Sequence, residues 1–394
     1  MSQTKAQLVD AVDGSIVAAD LASNSVTTAK VVDAAITADK LIFPVANRNL
    51  IINGAMQVAQ RGTSSTTSGY GSVDRFHIQY DGGTVTHTQT AITSGSPYDN
   101  GFRNVLKLTN TATGSGTGNY RNPFQYIEAQ NIATSGWNYA SSSSFITLSF
   151  WVRSSVAQEF YGYLRTFDGT GQLYCFSLGS LSANTWTKIT KTIPGNSNLQ
   201  FDNDANAGLQ VNIAPFWGGD FTTSGKTTDA WANFNTSSRT PDYANTWANT
   251  AGATFELTGV QLEVGSVATD FEHRSFAQEL ALCQRYFEKS YDVGTTAGTA
   301  TSSGSLNNGG LTGVNNASHA TRASIRYKVT KRASPTVTTF DLSGNSGKCN
   351  FPDTSSNVTM TVLQAGFNGC AVETAAVTST DTRCYYHFTA ESEL

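Results

Sequence analysis

Residues 255–287 constrain the fold of this chain more than any other stretch, because strand, turn and helix periods follow one another there without a gap. Apolar and polar residues alternate from 255 to 264, which predicts a strand buried on one face, and Gly259 interrupts the alternation where we expect a bulge. Ser275 and Gln278 have the spacing of a capping box and predict the start of a helix. A β domain therefore ends here and a helix follows it.

The predicted helix carries one apolar stripe. Its members follow one another at spacings of four, three and four residues and are Phe276, Leu280, Cys283 and Phe287. A helix of about four turns is marginal in water by itself. We therefore expect the stripe to pack on the preceding domain or on copies of itself.

Residues 45–274 predict one all-β domain. Strand-like runs follow one another without an intervening helical pattern, and clusters of Gly, Asn and Ser separate nearly every pair. This pattern favours a β-sandwich, and the residues alone leave jelly-roll and immunoglobulin-like topologies open. We expect the first and last strands to pair and close the domain. The predicted strands are 50–58, 73–80, 84–89, 105–109, 145–153, 160–167, 172–178, 185–192, 208–216 and 254–264.

Residues 1–44 contain a repeat with a period of ten residues. Each unit carries one pair of aliphatic residues five positions apart, too few to offset the entropy of ordering the unit. We expect a partner to supply the missing core, and a flexible linker is the alternative. The repeated aliphatic residues are Ile16, Leu21, Val26, Val31, Ile36 and Leu41.

Three strings of this sequence resemble the tail fibre proteins of tailed bacteriophages. They are NLIINGAMQVAQRGTS from Asn49, VDRF at 73–76, and GVQLEVGSVATDFEHRSFAQELALCQRYFEKSY from Gly259. The resemblance covers roughly residues 47–291. It implies a virion protein of a phage tail with a jelly-roll core, a virion-proximal stalk formed by the repeats, and host recognition as the usual role.

Residues 291–394 predict a small second β domain, joined to the first by the helix at 275–290. The predicted strands are 323–330, 336–342, 358–365, 369–376 and 384–389. By the resemblance this distal end is expected to contact the host. Aromatic faces pack on sugar rings and amides bond sugar hydroxyls, although Asn in turns equally serves backbone geometry. The candidate glycan-binding residues here are Asn307, Asn308, Asn315, Asn316, Tyr385 and Tyr386.

A second set of candidate glycan-binding residues lies in the Gly-rich and Asn-rich loop at 215–251. Exposed aromatic rings there would stack on sugars, and the alternative is that they cover the open end of the sandwich. The set comprises Trp231, Phe234, Tyr243 and Trp247.

Composition and motif content argue against several classes of function. The net charge of −4 and the absence of a Lys/Arg cluster argue against nucleic-acid binding, and no apolar run is long enough for membrane insertion. The histidines are scattered and no catalytic motif is present, so we expect no enzymatic activity, no cofactor and no metal. Cys349, Cys370 and Cys384 are expected to be buried thiols, with a disulfide among them as the alternative.

The resulting hypothesis is a non-enzymatic, elongated, homotrimeric tail fibre made in the host cytoplasm and located in the virion. Residues 1–44 would bind other tail proteins, and the distal part would bind host polysaccharide or lipopolysaccharide. Threefold association would supply partners for both the repeats and the helix stripe. The alternatives are a purely structural tail component without host contact and a polysaccharide-degrading tailspike.

Overall fold

The computed structural model describes residues 47–308, 312–351, 357–381 and 383–394, and gives only the backbone for 312–319 and 379–380. The predicted attachment repeats at Ile16, Leu21, Val26, Val31, Ile36 and Leu41 lie outside the described residues. Residues 48–394 form one compact unit.

Short strands dominate the described chain. The elements in order are β1 (Ser64–Ser65), β2 (His77–Asp81), β3 (Thr84–Ala91), α1 (Ser96–Asp99), β4 (Asn104–Ala112), β5 (Tyr120–Glu128), α2 (Ala129–Ala133), β6 (Phe145–Ser154), β7 (Gln158–Thr166), β8 (Gln172–Leu181), β9 (Thr187–Pro194), β10 (Ala207–Ala214), β11 (Phe216–Trp217), a 3-10 turn (Gly219–Phe221), β12 (Ala230–Asn233), α3 (Thr246–Asn249), β13 (Thr254–Val264), α4 (Phe276–Gln284), β14 (Phe287–Lys289), β15 (Leu306–Asn307), β16 (Thr312–His319), β17 (Arg322–Arg326), β18 (Thr336–Phe340), β19 (Lys348–Asn350), β20 (Asn357–Gly366), β21 (Gly369–Thr374), β22 (Val377–Asp381) and β23 (Tyr385–Glu391).

Two antiparallel sheets form the sandwich that the sequence predicts. The first sheet has the order β1-β3-β4-β13-β6-β9, and the second has the order β11-β5-β10-β7-β8-β12, with β2 also pairing β5. The chain crosses between the sheets after β1, β2, β4, β5, β6, β8, β9 and β12. These repeated crossings give a jelly-roll-like β-sandwich.

The second sheet has one apolar face and one polar face because its central strand alternates. Leu209, Val211 and Ile213 of β10 are buried in the core of the sandwich. On the same inner face, the ring of Phe160 in β7 lies 5.1 Å from the ring of Phe255 in β13 of the first sheet. Gln210 and Asn212 therefore point to the outer face, away from the first sheet.

The predicted strand at 50–58 is wrong, although the expected contact with the last strand exists. Asn53 and Met56 have left-handed φ angles of 61° and 57°, which a regular strand does not allow. The segment still bonds β13, since Leu50 N donates to Leu262 O at 2.9 Å and Val260 N donates to Gly54 O at 3.0 Å.

Strand β5 was not predicted from the sequence, because it carries polar residues on both faces and a proline at Pro123. Its inward Gln125 is satisfied by the irregular segment, because the amide both donates to Ile52 O and accepts from Ile52 N at 2.8 Å. A contact over such a separation leaves no local pattern in the sequence.

The predicted bulge in β13 is confirmed, since the β13–β6 register shifts between Thr258 and Gln261 around Gly259.

Helix α4 begins as predicted, but its buried face differs from the predicted stripe. Gln278 N donates to Ser275 Oγ at 3.4 Å and Ser275 N donates to Gln278 Oε1 at 3.0 Å, which completes the capping box. Phe276 is 45% exposed, and Phe287 lies in β14 beyond the helix. Of the four predicted residues, Cys283 is buried on the helix and Leu280 is half-buried.

The buried face of α4 is polar because a distant backbone group stabilises it. Glu279 accepts a hydrogen bond from Asn53 N at 2.5 Å and lies 3.5 Å from Arg274 Nη1. The free N–H of the irregular segment needs an acceptor, and a carboxylate supplies it. The helix therefore packs on its own sandwich through Glu279 and Cys283, and the carbonyl of the buried Gln284 accepts a hydrogen bond from Lys331 Nζ at 2.5 Å.

The C-terminal residues form a third sheet with its own core. Its order is β14-β23-β19-β20-β21-β17, with β15 and β18 also pairing β23, and β16 pairs β22 separately. The five strands predicted for this region correspond to β17, β18, β20, β21 and β23.

The described cysteines are all free and buried, and burial raises the pKa of Cys175 to about 12. The Cys349 thiol contacts that of Cys384 within the C-terminal core.

Buried ion pairs join this third sheet to the sandwich. Glu393, just after β23, pairs with the buried Arg75 and lies 3.2 Å from Arg61 Nη2. Arg75 Nη2 also donates to Tyr126 O at 2.8 Å. From the third sheet, Arg332 Nη1 donates to Ala205 O at 3.1 Å. The C-terminal sheet is therefore bonded to the sandwich by charged groups, and the predicted domain boundaries at 274 and 290 stay a prediction.

Candidate functional site

Two of the four aromatic candidates in the loop at 215–251 are buried, and for them the prediction is wrong. Trp247 is 0% exposed and its Nε1 donates to Thr254 O at 3.0 Å. Tyr243 is buried, and its hydroxyl donates to the carbonyls of Tyr161 and Ala214 at 3.0 and 3.1 Å. A buried ring offers no face to a sugar, so these two residues cover the sandwich, as the alternative stated.

The other two aromatic candidates are half-buried. Trp231 donates from Nε1 to Pro194 O at 2.7 Å, and its ring lies 5.4 Å from that of Tyr174. Phe234 lies on the opposite, outer side of the second sheet beside Arg165. Only Phe234 belongs to the cluster described below.

The C-terminal candidates with described side chains do not all lie at the surface. Tyr386 is 1% exposed within the C-terminal core, which corrects its assignment, while Tyr385 is half-buried and pairs with the exposed Asn307 across two strands. Asn308 Oδ1 accepts a hydrogen bond from Cys384 N at 2.7 Å. Asn315 and Asn316 lie in β16, where the side chains are outside the description.

A different cluster lies on the outer face of the second sheet, where the strand register brings side chains from four strands together. Asn212 of β10 pairs with Phe124 of β5 and with Tyr163 of β7, and Phe124 pairs with His77 of β2. In the next row, Gln210 pairs with Tyr126 and with Arg165. Members of a row share a face of the sheet. The outer face is defined by His77, Tyr120, Asn122, Phe124, Tyr126, Tyr163, Arg165, Phe167, Gln210, Asn212, Trp217 and Phe234.

The floor of the outer face consists of amides that lack hydrogen-bond partners among the described residues. Asn212 is 0% exposed, and neither its Oδ1 nor its Nδ2 has a partner. Asn122 Oδ1 and Gln210 Oε1 are buried and unpaired as well. An unsatisfied buried polar group costs about 1–3 kcal/mol, and folded proteins contain few of them. Three residues with unpaired amide atoms on one face make this face a candidate site for water or a polar ligand.

Aromatic rings line this floor along the sheet. The rings of His77 and Phe124 stack at 4.7 Å, Phe124 meets Tyr126 edge-on at 5.0 Å, and Tyr126 meets Phe167 at 5.4 Å. Tyr126 and Phe167 are half-buried and so keep part of each ring accessible. At the other end, Tyr120 lies 5.3 Å from Trp217.

Two arginine side chains stack on aromatic rings at the edge of the outer face. The guanidinium carbon of Arg165 lies 3.6 Å from the ring centroid of Phe234, and that of Arg239 lies 4.3 Å from the ring of Trp217. Burial lowers the pKa of Arg165, and burial raises the pKa of Tyr163 to about 12. Arg165 remains charged and Tyr163 remains a neutral phenol at physiological pH.

Comparison with known proteins gives only distant likenesses. No protein-family model and no curated protein matches the chain. Among solved structures, the enzymatically active domain of tailspike protein 4 of bacteriophage CBA120 is 12% identical over 55% of this chain, with a TM-score of 0.30. The match spans only 21% of that tailspike chain.

Two further solved structures give likenesses of the same strength. The N-terminal cellulose-binding domain of β-1,4-glucanase C of Cellulomonas fimi is 12% identical over 54% of this chain and 99% of its own, with a TM-score of 0.27. The tripod from the baseplate of bacteriophage Tuc2009 is 15% identical over 59% of this chain and 60% of its own, with a TM-score of 0.25. At these scores the likeness identifies neither a shared family nor a shared function.

The chemistry of the outer face suits a polyhydroxylated ligand. Half-exposed aromatic rings pack against the C–H faces of sugar rings, and amides offer both donors and acceptors to hydroxyl groups. No group of three or more His, Cys, Asp or Glu side chains in the described ranges is arranged to hold a metal ion. In the same ranges, no helix is long and apolar enough to cross a membrane.

Sequence reasoning missed this face, although one signal for it was available. The run from Leu209 to Ile213 alternates aliphatic residues with Gln210 and Asn212. Amides at the outward positions of a strand in the centre of a sandwich sheet indicate that the outer face of the sheet is polar. The aromatic partners come from β5 and β7, and only the register reveals that they lie beside the amides.

Proposed function

We propose that this protein is a tail fibre of a tailed bacteriophage and that it binds a saccharide of the host cell surface through the outer face of the second sheet. The observation that carries the binding site is the set of unpaired buried amides at Asn122, Gln210 and Asn212 beneath accessible aromatic rings. The three sequence strings that resemble phage tail fibres support the biological setting.

This proposal moves the sugar contact away from residues 291–394, where the sequence analysis places it. In that region Tyr386 is buried, and the side chain of Asn308 bonds a backbone N–H. Asn307 and Tyr385 remain accessible there and supply the competing site. On the outer face, by contrast, the unpaired amides and the aromatic row lie together.

The proposed fibre is a homotrimer that attaches to other tail proteins through residues 1–44. Single sugar contacts are weak, and three outer faces around one axis would raise the avidity through effective concentration. Light scattering of the full-length protein is expected to give the mass of three chains, and the mass of one chain would contradict the trimer. Particles made with a chain that starts at Phe43 are expected to lack the fibre.

Substitution of the accessible rings tests the binding site. We expect Tyr126→Ala and Phe234→Ala each to weaken binding to immobilised bacterial surface polysaccharides by about 10-fold, because each removes a stacking surface of the kind that dominates binding energy. Phe367→Ala is the matched control, since Phe367 is 54% exposed and lies in the turn between β20 and β21 of the C-terminal sheet. Equal binding by all three variants and the parent protein would contradict the site.

The same experiment separates the alternatives. A purely structural tail component would bind no surface polysaccharide, and a polysaccharide-degrading tailspike would release reducing sugar from the bound polymer. We expect binding without release. Thermal unfolding of each variant, followed by circular dichroism, establishes that the loss of binding comes from a folded protein.

A further inference from the structure

Arg165 is an arginine without a polar partner. In the described part of the chain its guanidinium donates no hydrogen bond, its buried Nε is unpaired, and no carboxylate lies within salt-bridge distance of it. Other partly buried arginines are bonded, as Arg285 is to Glu128 at 2.7 Å and Arg332 is to Ala205 O at 3.1 Å. Arg165 is only partly buried, and its guanidinium carbon lies 4.5 and 3.6 Å from the ring centroids of Phe167 and Phe234. Its contacts are therefore aromatic, which leaves its donors for a polar ligand.

A second cation faces the same ring. The guanidinium carbons of Arg165 and Arg239 lie 3.6 and 5.9 Å from the centroid of Phe234. Arg239 donates from Nε to Thr236 O at 3.2 Å, and its guanidinium also bonds the hydroxyl of Tyr163. It forms no ion pair within the described ranges. Asp242, on the same loop as Arg239, accepts from Thr222 Oγ1 at 2.5 Å.

Two positive charges therefore lie beside the aromatic and amide floor without a neutralising carboxylate. Their mutual repulsion favours an anion between or beside them, and Arg239 is among the groups that lower the pKa of Arg165. The planar guanidinium fork matches the two oxygens of a carboxylate or a phosphate.

We propose that the saccharide bound by the outer face is acidic, with a carboxylate or phosphate group held by Arg165 and Arg239. This inference rests on the proposed function and specifies the chemical class of its ligand. The sugar ring would pack on Tyr126 and Phe167 beside the arginines. Its hydroxyls would reach the amides of Gln210 and Asn212 through water, because both amides are buried beneath the aromatic rings.

The test compares acidic and neutral forms of the same polymer. The parent protein is applied to immobilised bacterial surface polysaccharides, both acidic and neutral, and the strongest acidic binder is then prepared with its carboxylates reduced to alcohols or with its phosphates removed. Arg165→Gln is expected to weaken binding to the native acidic polymer by about 10-fold or more, the usual scale for a lost charge-assisted hydrogen bond. The form that lacks the contacted anion should bind both proteins equally weakly, which identifies the anion as carboxylate or phosphate.

Arg326→Gln is the matched control, because Arg326 is an exposed arginine on β17 of the C-terminal sheet. It should bind the acidic polymer like the parent protein, and Arg165→Lys should lie between the parent protein and Arg165→Gln. Equal affinity of the parent protein for neutral and acidic polymers, or equal behaviour of the Arg165→Gln and Arg326→Gln proteins, would overturn the acidic class and leave saccharide binding intact. Binding to no polysaccharide would contradict the proposed function and this inference together.

Discussion

Replacing Glu393 by Gln is expected to lower the free energy of unfolding by about 3–5 kcal/mol, because it leaves the charge of Arg75 buried without its partner. The side chains of Arg75 and Glu393 are 1% and 6% exposed, so water cannot replace the lost carboxylate. Glu393 also pairs with Arg61 at 3.2 Å, so the substitution removes an ion pair from Arg61 as well. Urea-induced unfolding followed by tryptophan fluorescence measures the change.

Glu373→Gln is the control for this prediction. It removes the same charge from the ion pair with Arg322, whose side chain is 73% exposed and free to bond water. Exposed ion pairs contribute about 0–1 kcal/mol. If both substitutions destabilised the protein equally, the junction between the third sheet and the sandwich would not depend on its buried charges.

Trp247→Ala is expected to lower the free energy of unfolding by about 3–5 kcal/mol, as is usual for a buried large aromatic side chain. The ring fills the core beside Phe255, and its Nε1 is bonded to Thr254 O. Removing the ring leaves a cavity, while Thr254 O keeps the hydrogen bond from Ser155 N at 3.0 Å. Affinity of the folded fraction for polysaccharide should remain within about 2-fold of the parent value, because a residue that touches no ligand contributes little to binding.

Trp186→Ala is the matched control for Trp247→Ala. Trp186 is half-buried at the edge of the first sheet, with Arg153 stacked on it at 4.7 Å. Such a contact contributes about 1 kcal/mol. A destabilisation as large as that of Trp247→Ala would contradict the difference in burial, and a specific loss of polysaccharide binding by Trp247→Ala would return Trp247 to the binding site.

The buried junction also decides how the competing C-terminal site is tested. Cutting the chain after Ser290 would remove both β23 and Glu393, so Arg75 would lose its partner and the sandwich itself would be damaged. Loss of binding by that truncation would not locate the sugar. Substitutions at Asn307 and Tyr385 leave the junction intact and test the same surface.

Local patterns predicted the features of this fold that depend on neighbours in sequence. The capping box at Ser275, the bulge at Gly259 and most strands of the sandwich are of this kind. Each depends on a period or on a short-range hydrogen bond that a few consecutive residues specify.

Long-range partners explain the failures. The stripe on α4 was predicted from apolar spacing, yet Glu279 is buried because Asn53 N lies opposite, 226 residues earlier in the chain. The candidate site depends on the same kind of contact. Asn212 lies beside Phe124 and Tyr163 only because three strands adopt one register, and no local pattern specifies that register.

The structure of the protein in complex with a fragment of its strongest-binding surface polysaccharide tests the central claim most directly. We expect the sugar on the outer face of the second sheet, with a ring against Tyr126 and Phe167 and an acidic group within hydrogen-bond distance of Arg165. A saccharide bound instead beside Asn307 and Tyr385 on the C-terminal sheet would contradict the account.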